Sequence, residues 1–438
     1  MKPQKLTDEE LASVAQLDSP ILNALAAWAN KRLTCSHCKR CTTRCEVLDQ
    51  PGLDVGIVEE RYRQISALPL DDQPAAVIEL VQESPELFIA LRRCCFCGYC
   101  TATCQTHVLA SDRMRDWREL FMRANYMPPD DSRLVMVDNE WHIFSAYRAV
   151  YGIGYPEFVS LPQAAEAGPG TVDTLFFPGC SLVSYTPHLV RAVGNWLTDA
   201  GIAWALSDEC CGSPLMSAGL FDRAAALRQR VIDQMRAAGI TRMITVCPGC
   251  GDEFSEYLEG TGIEIVPLPE VLLEGSGKLE AAGKPSGFSP LEEESLTFFD
   301  SCHDRADGRH GRAIRKLAKR YLPDASQHEL DHHGRGTLCC GAGGAVATYD
   351  EDITNRRVWR VIEEARATGA HTLVTACPTC TYTVAQACLG VDPEQGIGNR
   401  HYLELLFGEP IDWALIFDQL GSMWTGEYGP WLNQTFFG

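Results

Sequence analysis

The sequence predicts an α+β multidomain chain, with a mostly helical N-terminal domain followed by two duplicated α/β domains. Apolar residues recur at helical spacing up to about residue 150, with few strand signals among them. Short apolar runs then alternate with helical patterns, the signature of an α/β layer architecture. Finally, LFFPGC, CCGSP and MITVCPGC return in the same order as LTFFDSC, CCGAG and TLVTACPTC, offset by 122 residues at the first cysteine and 129 to 130 at the others.

In chain order, Thr7 to Glu10 (TDEE) has capping-box spacing and precedes an apolar-periodic run to residue 33. Helical patterns recur at 75–93 and 111–124. A stretch rich in Gly, Pro and Ala, 154–171, separates this segment from the rest of the chain. TLFFPGC, RMITVCPGC and IEIVPLP read as strands, and 188–201 and 221–239 as helices. A linker at 274–294 (EGSGKLEAAGKPSGFSPLEEE) divides the two copies. The expected units are 1–153, 172–273, 295–400 and an aromatic-rich tail, 401–438.

The 438 residues suffice for several cores, and no export signal or membrane-length apolar run is visible, so a cytoplasmic setting is expected. A net charge of −20 argues against a nucleic-acid partner, since phosphate binding needs a basic surface. Twenty cysteines in such a chain point to metal ligation, because disulfide frameworks belong to small secreted domains.

Eighteen of the twenty fall into four sets. The first two are Cys35, Cys38, Cys41, Cys45 and Cys94, Cys97, Cys100, Cys104, both spaced C-x2-C-x2-C-x3-C. This is the run of two-cluster ferredoxins, in which the fourth cysteine ligates the other cluster. By that logic Cys35, Cys38, Cys41 and Cys104 hold one cubane [4Fe–4S] cluster, and Cys94, Cys97, Cys100 and Cys45 the other. Glu46 and Gln105 stand where proline usually follows the fourth cysteine, which removes no ligand. Paired structural zinc sites are the alternative, but two four-membered runs overshoot them. Cys95 and Cys388 lie outside the sets and receive no role.

The other two sets are Cys180, Cys210, Cys211, Cys247, Cys250 and Cys302, Cys339, Cys340, Cys377, Cys380. Strand-like runs before most of these elements place them at one end of a sheet, where α/β folds carry their ligand sites. Five thiols exceed what a cubane needs. A C…CCG…CxxC pattern, repeated, resembles the CCG domains of heterodisulfide reductase. With the paired ferredoxin-type runs ahead of it, the chain resembles that enzyme's fused catalytic subunit. More distantly it resembles the iron–sulfur subunits of glycolate, lactate and anaerobic glycerol-3-phosphate dehydrogenases.

The first resemblance implies that each five-cysteine set is catalytic and binds a non-cubane [4Fe–4S] cluster. It also implies that two cubanes feed electrons to those sites, and that a small disulfide is reduced, or its thiols oxidised, between them. The second implies a relay without disulfide turnover. Either way a flavoprotein or membrane cytochrome b partner is expected, the latter tying the chain to the inner face of the membrane.

Lesser features leave alternatives open. GAGGAV (341–346) lacks the last glycine of a dinucleotide fingerprint, and no flavin or nicotinamide is expected. The basic run 303–320 is either a lip for an anionic thiol, led by His303 and Arg305, or a solvated helix face. His332 and His333 either tune a cluster or occupy a loop. The tail forms either a partner interface or core.

Overall fold

A computed structural model of the chain describes residues 35–438, apart from 44, 49–52, 107, 128 and 393. The expected helix from Thr7 to residue 33 lies outside the described residues.

Helices dominate from 55 to 150. Asp54 caps Val55–Ser66 by accepting from the Ile57 amide. The 75–93 pattern divides into Gln73–Glu83 and Pro85–Arg92. Pro85 has no N–H to continue the first helix and suits the start of the second. Ala110–Arg123 buries Met114, Trp117, Leu120 and Phe121 against them.

Two four-stranded parallel sheets come next. The first contains β1 (Thr174–Phe177), β2 (Trp204–Leu206), β3 (Arg242–Thr245) and β4 (Glu264–Pro267), in the order β2-β1-β3-β4. The second contains β5 (Ser295–Phe299), β6 (Ser326–Glu329), β7 (Thr372–Thr375) and β8 (Gly398–His401), in the order β6-β5-β7-β8. Register is equivalent: Leu175 lies between Ala205 and Met243, and Thr297 between His328 and Leu373. Parallel strands need crossover helices, which bury both faces. Accordingly Phe176 faces one core while Leu175 and Phe177 face another. The first of these cores runs on into the second sheet through Leu296, Phe298 and Val374.

Three connecting regions are more structured than their composition suggests. The 154–171 stretch carries the helix Leu161–Ala167, started by a Ser160–Gln163 capping box. It is pinned by Tyr155 Oη donating to the Val183 carbonyl (2.7 Å) and by Phe158 against Trp204. The helix Leu268–Ala281 runs into the expected linker, supported by a Glu274–Lys278 pair one turn apart and a buried Ser276. The duplication also extends further than the cysteines show. The β8 strand and helix Tyr402–Phe407 repeat β4 and the helix after it, so His401 to Phe407 is framework and the tail begins beyond Gly408. That tail folds back as core: Met423, Leu432 and Phe436 are buried, and Tyr147 Oη donates to Gln419 (2.5 Å). Leu415, Tyr428 and Phe437 stay exposed. Among the described residues no helix is long and apolar enough to cross a membrane.

Candidate metal centres

In a parallel sheet every strand points its C-terminal end to the same edge, and there each copy gathers its five cysteines. Cys180 follows β1 and opens the helix Cys180–Tyr185. Cys210 and Cys211 follow β2. Cys247 follows β3 as the N-cap of Pro248–Leu258, with proline at the first helical position and Cys250 in the first turn. Cys210 and Cys180 place their sulfurs 3.4 Å apart. Hydrogen bonds from Cys210 and Cys250 hold the Cys211 thiol well below its usual range. Arg228, 1% exposed, donates from Nε to the Cys211 carbonyl (2.8 Å) and pairs with buried Glu253 (2.5 Å).

The second copy repeats the arrangement. Cys302 follows β5, Cys339 and Cys340 follow β6, and Cys377 caps Pro378–Cys388. Cys340 and Cys380 sulfurs lie 3.4 Å apart. The CC turn closes on Gly341, whose φ of +88° is a left-handed conformation. A Cβ there would sit 2.9 Å from the backbone of Thr354, so only glycine fits.

The two sets meet: Cys247 Sγ of the first copy is 3.8 Å from Cys377 Sγ of the second. Hydrogen bonds from Cys247 and Cys380 hold the Cys377 thiol well below its usual range. His303 closes this seam by pairing through Nδ1 with Asp252 (3.0 Å). On another side Ser181, Tyr185, Thr381, His401 and Trp413 line a narrow cleft.

A cavity of about 60 Å³ lies between the helical segment and the second copy. Cys45, Cys94, Cys97 and Cys100 line it together with Cys95 and Cys339. Burial pushes the Cys94 thiol up to about 11. Cys339 is a hub, held well below the usual thiol range by hydrogen bonds from Cys302, Cys95 and Cys97. Cys35, Cys41 and Cys104 form a second neighbourhood, where Cys104 raises the thiol of Cys35 and Cys35 that of Cys41, in both cases behind the larger effect of burial. Cys38 is exposed. Cys35, His37 and Asp54 also fall within 4.8 Å of one another, but the His37–Asp54 pair (2.9 Å) is accounted for by the helix cap.

All twenty cysteines are free thiols. Soft thiol donors converging from separate loops, with no carboxylate or imidazole in the cavity wall among the described residues, fit iron–sulfur ligation.

Several residues sit where the sequence did not lead. Arg305 does not form a lip. It is 5% exposed and donates to the carbonyls of Cys97 (3.2 Å), Arg335 (2.5 Å) and Thr337 (2.9 Å). Arg309, Arg315 and Arg320 pair with Glu270, Asp300 with Glu329, and Glu280, so the basic run is a laced helix. His332 pairs with Glu364 and His333 with the Leu330 carbonyl. The glycines of GAGGAV serve close packing: a Cβ on Gly344, φ +66°, would strike the Cys94 carbonyl. Cys95 is 3% exposed and contacts Arg357. Its only signal in the sequence was its place inside a ligand run.

Residues 174–255 and 296–385 each match the cysteine-rich CCG domain. An uncharacterized iron–sulfur protein of Methanocaldococcus jannaschii is 26% identical over 81% of this chain and 68% of its own length. One subunit of the CoM/CoB fumarate reductase of Methanothermobacter marburgensis is 24% identical over 87% of this chain and 72% of its own length. One subunit of the dihydromethanophenazine:CoB–CoM heterodisulfide reductase of Methanosarcina acetivorans is 22% identical over 79% and 87% respectively. Fold and cysteine constellation thus define a protein with two CCG domains. More particularly, it is related to heterodisulfide reductase subunits.

Proposed function

We propose that the chain is an iron–sulfur oxidoreductase subunit of heterodisulfide-reductase type, with units at 1–153, 172–273 and 295–400, the last running on through Phe407 before the C-terminal tail. Cys35, Cys38, Cys41 and Cys104 would hold one cubane and Cys94, Cys97, Cys100 and Cys45 the other. Cys180, Cys210, Cys211, Cys247 and Cys250, and their counterparts Cys302, Cys339, Cys340, Cys377 and Cys380, would hold two non-cubane clusters. Bound clusters supply single-electron steps. A flavoprotein or cytochrome b partner would supply the electrons, in the cytoplasm or at the inner membrane face. The overall reaction is R–S–S–R′ + 2e⁻ + 2H⁺ → RSH + R′SH, or its reverse.

The observation that carries this reading is the 3.8 Å approach of Cys247 and Cys377, which joins two complete five-thiol sets at one seam. A disulfide has two sulfurs, and a seam with a set on each side can hold one sulfur against each. The Cys339 hub, in reach of both Cys302 and Cys97, links the seam to the cavity of the ferredoxin-type run.

The test uses anaerobically purified full chain. Expected are iron near sixteen per chain, counting about four for each of four clusters, and viologen-driven reduction of a heterodisulfide that Cys247→Ser and Cys377→Ser each abolish. Burial of Cys377 favours a second reading, an electron relay for a flavin-dependent dehydrogenase. Full iron loading and reducible clusters without turnover of any disulfide would establish that reading. Iron-free protein would refute both.

A further inference from the structure

The duplication puts an arginine at the same place in both copies: Arg228 and Arg357 are separated by 129 residues, the offset of their CC pairs. Both project from the helix that follows the CC turn, Phe221–Ala238 in one copy and Glu351–Ala367 in the other. Their partners differ. Arg228 pairs within its own copy with buried Glu253, which also receives Arg115 of the helical segment (3.1 Å). The residue matching Glu253 in the second copy, 130 further on, is Thr383, which carries no charge.

Arg357 turns instead towards the helical segment. Its Nη1 donates to Cys95 Sγ, and its Nε reaches Glu46 Oε2 (3.3 Å). Glu46 is the residue that replaces the usual proline. It is partly exposed and also receives Arg360 (2.8 Å), so one solvated carboxylate faces two guanidiniums. Arg305, Arg357 and Arg360 all line the cavity of Cys45, Cys94, Cys97 and Cys100, and among the described residues no carboxylate does.

We propose that Arg357 is a positioning residue that raises the reduction potential of whatever the cavity thiols and Cys339 hold. A guanidinium stays protonated at any accessible pH, and in a poorly solvated wall its charge is weakly screened. Adding an electron makes a thiolate-ligated cluster more negative, and a fixed cation beside it favours that state. Cys95 keeps the guanidinium pointed inward, and Glu46 anchors it from the solvent side. Arg228, at the matching position, is held against Glu253 and the Cys211 carbonyl instead and lines no part of this cavity. This inference rests on the iron–sulfur reading above.

The test is an EPR-monitored redox titration of the iron-loaded full chain as wild type, Arg357→Gln, Arg357→Lys and Glu46→Gln, with iron content measured alongside. In Arg357→Gln the reduction equilibrium of the affected cluster should weaken about tenfold, near 59 mV for one electron. Glu46→Gln should move it the opposite way, and Arg357→Lys should stay near wild type. The cluster assigned to Cys35, Cys38, Cys41 and Cys104, identified by its loss in Cys38→Ala, should not move. Normal iron content with unmoved potentials in Arg357→Gln, or equal shifts at every cluster, would overturn the proposal. So would shifts of one sign in both Arg357→Gln and Glu46→Gln. If Arg357→Gln fails to load iron, the Lys and Glu46 variants decide by the same signs. Iron-free wild type would instead sink the underlying reading.

Discussion

Arg118 offers the sharpest test of how the three parts hold together. Its side chain is fully buried, yet among the described residues no carboxylate pairs with it. Instead its guanidinium donates to the carbonyls of Arg92 (2.7 Å) and Cys94 (3.0 Å) in the helical segment, Ser217 (3.1 Å) in the first copy and Gly344 (3.1 Å) in the second. Its own backbone carbonyl lies where a Cβ on Gly219 would clash, so the surrounding chain cannot close in to fill a smaller side chain. In Arg118→Met four carbonyls lose a donor. At roughly 1 kcal/mol net per hydrogen bond the loss is about 4 kcal/mol. For a cooperative unit of 150–250 residues this lowers the melting midpoint by about 8–16 °C. Arg118→Lys keeps the charge but offers a single nitrogen, which cannot reach carbonyls on three bodies, and should recover only part of the loss. Differential scanning calorimetry of the iron-loaded chain measures the effect, and limited proteolysis locates it. A midpoint within about 2 °C of wild type in Arg118→Met would refute the reasoning.

Glu253→Ala strands Arg228 as a buried, unpaired charge and removes the partner of Arg115, and should cost about 3–5 kcal/mol, read by urea denaturation, whereas Arg228→Met with Glu253→Leu should recover only part of it because Arg115 stays unpaired. His142 caps the helix Ile143–Val150, and burial, with Arg148 nearby, lowers its pKa to about 4. Its folded value lies below the usual 6.5, so its contribution is present above pH 6.5 and is lost as pH falls towards 4, about 2 kcal/mol between pH 7 and 5. His142→Asn, which still caps, should flatten that dependence; an unchanged slope of stability against pH would rule the histidine out. Gly344→Ala must place a Cβ at the Cys94 carbonyl in a left-handed backbone, costing at least about 1 kcal/mol for the backbone alone and lowering iron content. Gly262→Ala, with φ +81° but open space around it, isolates the backbone part.

What was legible in the sequence depends on where the physics is local. The β1, β3 and β4 strands announced themselves as apolar runs. The edge strands β6 (SQHE) and β8 (GNRH) did not, because an edge strand with exposed residues needs no apolar pattern. Cysteine spacing marked out the two five-cysteine sets that the sheets gather at their strand ends, since a tight turn can deliver several thiols. The long-range placements were hidden: Arg118 meets Gly344 across 226 residues, and Arg357 meets Cys95 across 262. No periodicity encodes such a meeting. The basic run left two readings open because charge counted along the chain omits its partners on other helices, Glu270 and Glu280. The glycines of GAGGAV had a packing reason that only the neighbouring Cys94 loop could show.

The interface between the helical segment and the second copy has an unusual charge composition for a protein of net charge −20. Arg118 and Arg305 are buried in it and donate to carbonyls, while Arg357 shares a half-solvated Glu46 with Arg360. Carbonyl dipoles satisfy the hydrogen-bonding capacity of a guanidinium but leave its net charge uncancelled, and burying uncancelled charge is costly. The groups in reach that can carry the balancing negative charge are the sulfurs, with Cys339 already biased towards thiolate and Arg357 among the causes. Thiols give up protons when they bind metal, so ligation at Cys94, Cys97, Cys100 and Cys339 would create the very charge these arginines lack. The same arginines would therefore hold the helical segment to the second copy more tightly in the metal-loaded protein than in the metal-free one.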